Sequence, residues 1–193
     1  MLNNIRMPIM KNILLSLLLL ISISCWAGKL EHFTKDEQLK FNQTIQVGMG
    51  LLSSGKAADS LQHFDQVILP YEQRYSDTET KIYCARDNTE SLLYLMTAAV
   101  DLKKTEPNNQ KSAEVISPVW AYAYFYKAYA FIETKNLPQA KFNLERAINL
   151  SPHNPQFLLE QAHVFQIERD WDKSIEFAKR LKVALILHLK KKT

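Results

Sequence analysis

Two stretches of this chain repeat one residue pattern at an offset of 34, and no other feature constrains the fold as tightly. Tyr124 returns as Leu158, Ala128 as Ala162, Phe131 as Phe165, Leu137 as Trp171 and Ala140 as Ser174. Leu144 and Ala147 return as Ala178 and Leu181. Small residues come back where two helices would cross closely, and large ones where side chains would interdigitate. A period of this length marks a helix–turn–helix unit stacked on copies of itself, because one helix pair cannot hide its apolar face alone. The predicted fold is all-α, a short solenoid of helical hairpins.

A weaker third copy lies upstream, over 41–74. Gly48 and Ser60 have the spacing of Ala128 and Ala140, while Phe64 and Val67 stand where Leu144 and Ala147 stand. Helical periodicity starts at Phe41 and runs through Ile45, Gly48, Leu51 and Leu52. Ser53-Ser54-Gly55 punctuates it before a second run through Ala57, Leu61 and Ile68. Residues 28–40 are polar and make an exposed lead-in or the first turns of that helix. Between the copies, 75–119 is an insertion. It holds an apolar helix opened by Asn88 as N-cap, running through Leu92, Met96 and Val100, and then a loop from Lys103 to Pro118. A basic tail, 189–193, follows the hairpins at 121–154 and 155–188.

The N-terminal residues, 1–27, have the layout of an export signal. Arg6 and Lys11 precede an apolar run from Ile13 to Ile23, which as a helix spans only about 16 Å and is too short for a membrane anchor. Met10-Lys11 would also serve as a start. Cleavage after Ala27 obeys the small-residue rule; the alternatives are lipid attachment at Cys25, with Ser24 and Ile23 before it, and an uncleaved anchor. Either processed form leaves Cys84 as the one cysteine of the body, so no disulfide framework is available. Cys84 is expected as a half-buried small hydrophobe, a reactive thiol being the alternative.

Residues 121–188 resemble two consecutive tetratricopeptide repeats. The resemblance rests on Ala130-Phe131-Ile132-Glu133 ending a helix, the Lys135-Asn136-Leu137 turn, and Ala140 with Leu144-Glu145-Arg146-Ala147. It continues in Asn149-Leu150-Ser151-Pro152 and the Asp170-Trp171-Asp172-Lys173-Ser174 turn, where Asp170 or Asp172 caps the next helix. Lys127 and Gln161 stand where the family favours leucine, Ile186 where it favours proline, and no capping helix follows. The layout as a whole is similar to exported bacterial repeat proteins of unassigned activity. The resemblance implies a repeat core of Gly48, Ser60, Phe64, Tyr124, Ala128, Phe131, Ala140, Leu144, Ala147, Pro152, Ala162, Phe165, Trp171, Ser174 and Ala178. It also implies that the first helix of each pair lines a concave, partner-binding side. The partner-facing residues are then Met49 and Leu52 in the first copy, and Tyr122, Phe125, Tyr129 and Ile132 in the second. Leu159, His163 and Gln166 complete the set in the third.

Residue types leave two readings of the aromatic stretch Trp120 to Phe131. Tyr124, Ala128 and Phe131 suit the inter-helix core, while Tyr122, Phe125 or Tyr126, and Tyr129 form a second stripe at three- and four-residue steps. That stripe is a binding surface of the kind tyrosine favours, or it is covered by the inserted helix 88–103. His32, His63, His153, His163 and His188 show no metal-ligand spacing, and no phosphate-cradling glycine loop or nucleophile motif occurs. No catalytic residue, metal or cofactor is implied. The formal charge of +4 falls to +2 without the N-terminal segment, too near neutral to imply nucleic acid. The tail is unusual: Val183-Ala184-Leu185-Ile186-Leu187-His188-Leu189 is apolar nearly all round, then Lys190-Lys191-Lys192 follows. It is a truncated or degenerate end, a plain packed helix, or a membrane-docking end. The sequence as a whole reads as a non-catalytic, exported adaptor that holds a protein or peptide partner. An outer-membrane lipoprotein assembly factor anchored through Cys25 is the alternative, and membrane contact is expected only through a lipid or the tail.

Overall fold

A computed structural model of the chain describes residues 32–76, 78–103 and 112–189. The chain divides into two units, Met1–Phe33 and Thr34–Thr193, and the second carries every element below. The export segment, Cys25 and Lys190 to Thr193 lie outside the described residues.

Three helical hairpins form where the repeats predict them. They are α1 (Lys35–Ser53) with α2 (Ala57–Tyr75), α4 (Val119–Glu133) with α5 (Leu137–Leu150), and α6 (Pro155–Ile167) with α7 (Trp171–Leu189). Helix α1 starts ahead of the expected Phe41 because Thr34 and Glu37 make a capping box: the Thr34 hydroxyl accepts from the Glu37 amide, and the Glu37 carboxylate accepts from the Thr34 amide. The three turns share one backbone solution. Gly55, Lys135 and Arg169 occupy matching positions with φ of 73°, 61° and 60°. After each, an amide bonds five residues back, Lys56 to Leu51, Asn136 to Phe131 and Asp170 to Phe165. Asn136 and Asp170 then cap the following helices through their side-chain oxygens, so Asp170 rather than Asp172 is the cap.

Packing follows the repeat logic. Each first helix packs on its own second helix, and α2 and α5 pack in turn on the first helix of the next hairpin, α4 and α6. Phe64 of α2 stacks on Tyr126 of α4, and Asp65 pairs with Lys127. Ala128, Leu144 and Val164 form one buried cluster across α4, α5 and α6. Gln161, at the second position where the family favours leucine, is wholly buried.

The insertion is where the structure departs most from expectation. Two short strands, β1 (Lys81–Cys84) and β2 (Ala113–Ile116), flank α3 (Asn88–Lys103) and pair in parallel, Lys81 opposite Ala113 and Cys84 opposite Ile116. The expected loop therefore contains a strand, and β1 was unanticipated. Neither strand alternates between buried and exposed residues, so there is no period-2 pattern to register, and the pairing joins segments far apart in sequence. Asp87, not Asn88, caps α3: its carboxylate accepts from the Thr89 and Glu90 amides. Cys84 is fully buried rather than half-buried.

Candidate partner-binding face

The offset of 34 that organises the core also organises a second row of side chains. Tyr122, Phe125, Tyr129 and Ile132 on α4 stand in register with Gln156, Leu159, His163 and Gln166 on α6. The two rows meet. The Tyr122 hydroxyl donates to Gln156 Oε1 at 3.2 Å, while Phe157 stacks on Phe125 at 4.9 Å and meets Tyr122 edge-on at 5.2 Å. The first helices of two hairpins therefore present one continuous surface with an aromatic floor. Exposure rises along it: Tyr122, Phe125 and Ile132 are half-buried, Tyr129 is 39% exposed, and Leu159 is 56% exposed beside the exposed His163 and Gln166. His163 lies 3.2 Å from Glu160 at its rim. Met49 and Leu52 on α1 are half-buried.

Neither sequence reading of the aromatic stripe holds complete. Helix α3 does not lie over it; α3 packs on the two strands, and its Tyr94 stacks on His153 at 6.0 Å. Yet Phe125 and Ile132 are not free ligand groups, since both pack against the Ala128, Leu144 and Val164 cluster. Tyr126 is held by Phe64 and Tyr122, and burial raises its phenol pKa. The stripe is a floor built by the repeats themselves, and its open positions are Tyr129 and the α6 row.

Most of the predicted core is buried: Gly48, Ser60, Phe64, Tyr124, Ala128, Ala140, Leu144, Ala147, Ala162, Phe165 and Ser174. Phe131 and Pro152 are half-buried. Trp171 and Ala178 are not core; Trp171 is 59% exposed and Ala178 is exposed as well. Their counterparts Leu137 and Leu144 are closed by the following hairpin through Val164, and no described element takes that place over α7. Tyr124 is a core residue with a polar tip. Its hydroxyl bonds Glu72, Arg146 lies 3.3 Å away, and the phenol is pushed up to about 12 by burial first and the Glu72 hydrogen bond second.

Two polar features escaped the sequence reading because each joins residues from different elements. One locks the insertion to the repeats. Arg86 grips both carboxylate oxygens of buried Glu90, Tyr94 donates to Glu90 at 2.8 Å, and the Ser151 hydroxyl donates to the Cys84 carbonyl. The segments Cys84-Ala85-Arg86 and Glu90 to Tyr94 are the two halves of this clamp. The other is a cleft of about 670 Å³ away from the first-helix row, lined by Glu72, Tyr75, Thr80, Lys81, Trp120 and Arg146 among others.

No protein-family model matches the chain, and no curated protein matches it. Among solved structures it is similar to one described as "MamA RS-1 ArsTM double mutant". The identity is 13%, the TM-score 0.34, and the match covers 78% of this chain and 76% of that one.

Proposed function

We propose that this protein is a non-catalytic adaptor that binds a protein or peptide partner along the first-helix face of α4 and α6. The carrying observation is the continuous row from Tyr122 to Gln166, floored by Phe125 and Phe157 and open at Tyr129, Leu159 and His163. Aromatic floors with open apolar and polar neighbours suit a peptide backbone and its side chains, because tyrosine offers contact area and a hydroxyl at small entropic cost. The resemblance to tetratricopeptide repeats favours the same face. A location in the bacterial cell envelope rests on the sequence of the N-terminal segment, with secretion after Ala27 as the main reading. Ile23-Ser24-Cys25 favours a second one, a lipid-anchored assembly factor, which incorporation of labelled palmitate at Cys25 distinguishes.

The test is site-specific photocrosslinking in cells. A photoreactive residue at Tyr129 and another at Leu159 should capture the same partner. One at Phe142, which is 56% exposed on α5, should not. Capture from Phe142 alone would move the binding face to the second helices and refute the assignment.

A further inference from the structure

The outer edge of β1, on the side turned away from β2, borders the cleft of about 670 Å³. The Lys81 amide donates to the Ser112 carbonyl at 2.8 Å, and the Ala85 amide to the Ile116 carbonyl at 3.1 Å. Alternate residues of a parallel strand bond the same neighbour. Lys81, Tyr83 and Ala85 therefore turn their main-chain groups to β2, and Ile82 and Cys84 turn theirs outward. The outward position at Cys84 is closed, since its carbonyl accepts from the Ser151 hydroxyl. The one at Ile82 is open. Ile82 lines the cleft, and neither its N–H nor its C=O has a hydrogen-bond partner among the described residues. Main-chain groups inside a fold are nearly always bonded, so this donor and acceptor are edge capacity that the fold leaves unused. The same lining holds another unused donor: Trp120 is 6% exposed, and its buried indole N–H has no partner among the described residues.

We propose that the cleft binds an extended peptide segment of a partner protein, which adds beside β1 as a third strand by bonding the N–H and C=O of Ile82. An extended residue offers the reciprocal acceptor and donor at the inter-strand spacing of about 4.8 Å. The exposed side-chain amide of Asn149, on the α5 part of the lining, is a further group for such a segment to bond. Charge selects no other ligand class. Arg146 already bonds Glu72 at 3.4 Å, and Lys81 has Glu79 two residues before it and Glu114 on the paired strand. The lining is therefore no cationic pocket for a phosphate group, and main-chain bonding is what it offers. A second copy of this chain fits poorly, because its own β1 edge lies in the same recess and two recessed edges cannot reach each other. The cleft volume falls within the range of about 300–1,000 Å³ that encloses a drug-sized ligand, which for a chain rising about 3.3 Å per residue is a few residues. The site is separate from the first-helix face, and either can fail without the other.

The probe is a library of N-acetyl hexapeptide amides panned on the purified chain, with the best binder then titrated into isotope-labelled protein. Binding should shift the Ile82 amide resonance downfield and slow its hydrogen exchange about tenfold or more. Methylating the peptide nitrogen that faces Ile82 should raise Kd about tenfold or more, whereas methylating the nitrogens on either side, which face away, should change it less than about threefold. That series alters only the probe, so it leaves the protein fold untouched. Ile82→Pro removes the N–H and should abolish binding; if its circular dichroism shows a lost fold, the methylation series decides alone. Tyr129→Ala should leave the affinity unchanged. No binder at a peptide concentration of about 1 mM would overturn the proposal, as would an unmoved Ile82 amide or equal tolerance of methylation at every position. Loss of binding in Tyr129→Ala would put the peptide on the first-helix face instead. A two-chain mass broken by Ile82→Pro would mean edge pairing between copies, and would equally overturn it.

Discussion

Gly48 and Gly50 lie two residues apart on α1, and replacing each by alanine should change stability in opposite directions. A Cβ at Gly50 meets nothing within 4 Å, so Gly50→Ala gains helix propensity alone, about 0.5–1 kcal/mol. A Cβ at Gly48 would sit 2.7 Å from Phe64 Cε1, 2.8 Å from its Cζ and 3.3 Å from His63 Cβ. Carbon atoms rest at about 3.5–4.0 Å, so the ring must shift or the helices must part. Phe64 cannot yield cheaply: it is wholly buried and stacked on Tyr126 of the next hairpin. Overpacking of this kind costs about 1–3 kcal/mol, which exceeds the same propensity gain and leaves Gly48→Ala destabilised by about 1–2 kcal/mol. The two variants should therefore differ by about 2 kcal/mol, or about 4–8 °C in melting temperature for a chain of this size. Urea and thermal melts of the two variants beside the parent measure it. Equal stabilisation by both substitutions would show that α1 and α2 do not cross closely at Gly48, and would remove the basis for aligning 41–74 with the later repeats.

Tyr124→Ala should cost about 3–5 kcal/mol, since it empties a fully packed site and strips a partner from Glu72 and Arg146; Tyr129→Ala should leave chemical melts within about 0.5 kcal/mol of the parent and weaken partner capture. Equal losses in stability would place Tyr129 in the core. Burial holds the His153 imidazole below its ordinary value, outweighing the opposing pull of Glu90. The folded state therefore favours neutral His153, and stability should fall as pH drops below about 6.5, where the unfolded chain takes up the proton, and level off below the folded-state value. His153→Gln should reduce that slope in urea melts, and an unchanged slope would exclude this residue as its source. Burial pushes the Cys84 thiol up to about 12, so in a Cys25→Ser chain a thiol reagent at neutral pH should react only after denaturant is added; fast labelling of the native chain would contradict its burial.

The sequence alone was enough for the hairpins, since a hairpin is specified by short-range chemistry. The spacing of Ala128 and Ala140, and of Gly48 and Ser60, is read within one hairpin, while the shared left-handed backbone at Gly55, Lys135 and Arg169 is visible only in the structure. Burial of most of the repeat core followed, because a face patterned at the helical period has one place to go. Contacts between elements were not legible. The β1–β2 pairing depends on a partner across the α3 crossover, and the Arg86, Glu90, Tyr94 and His153 clamp gathers residues from three segments. Trp171 and Ala178 show the limit most plainly. They occupy the same repeat positions as Leu137 and Leu144, yet burial there belongs to the neighbouring helix that covers the row, not to the residue that occupies it.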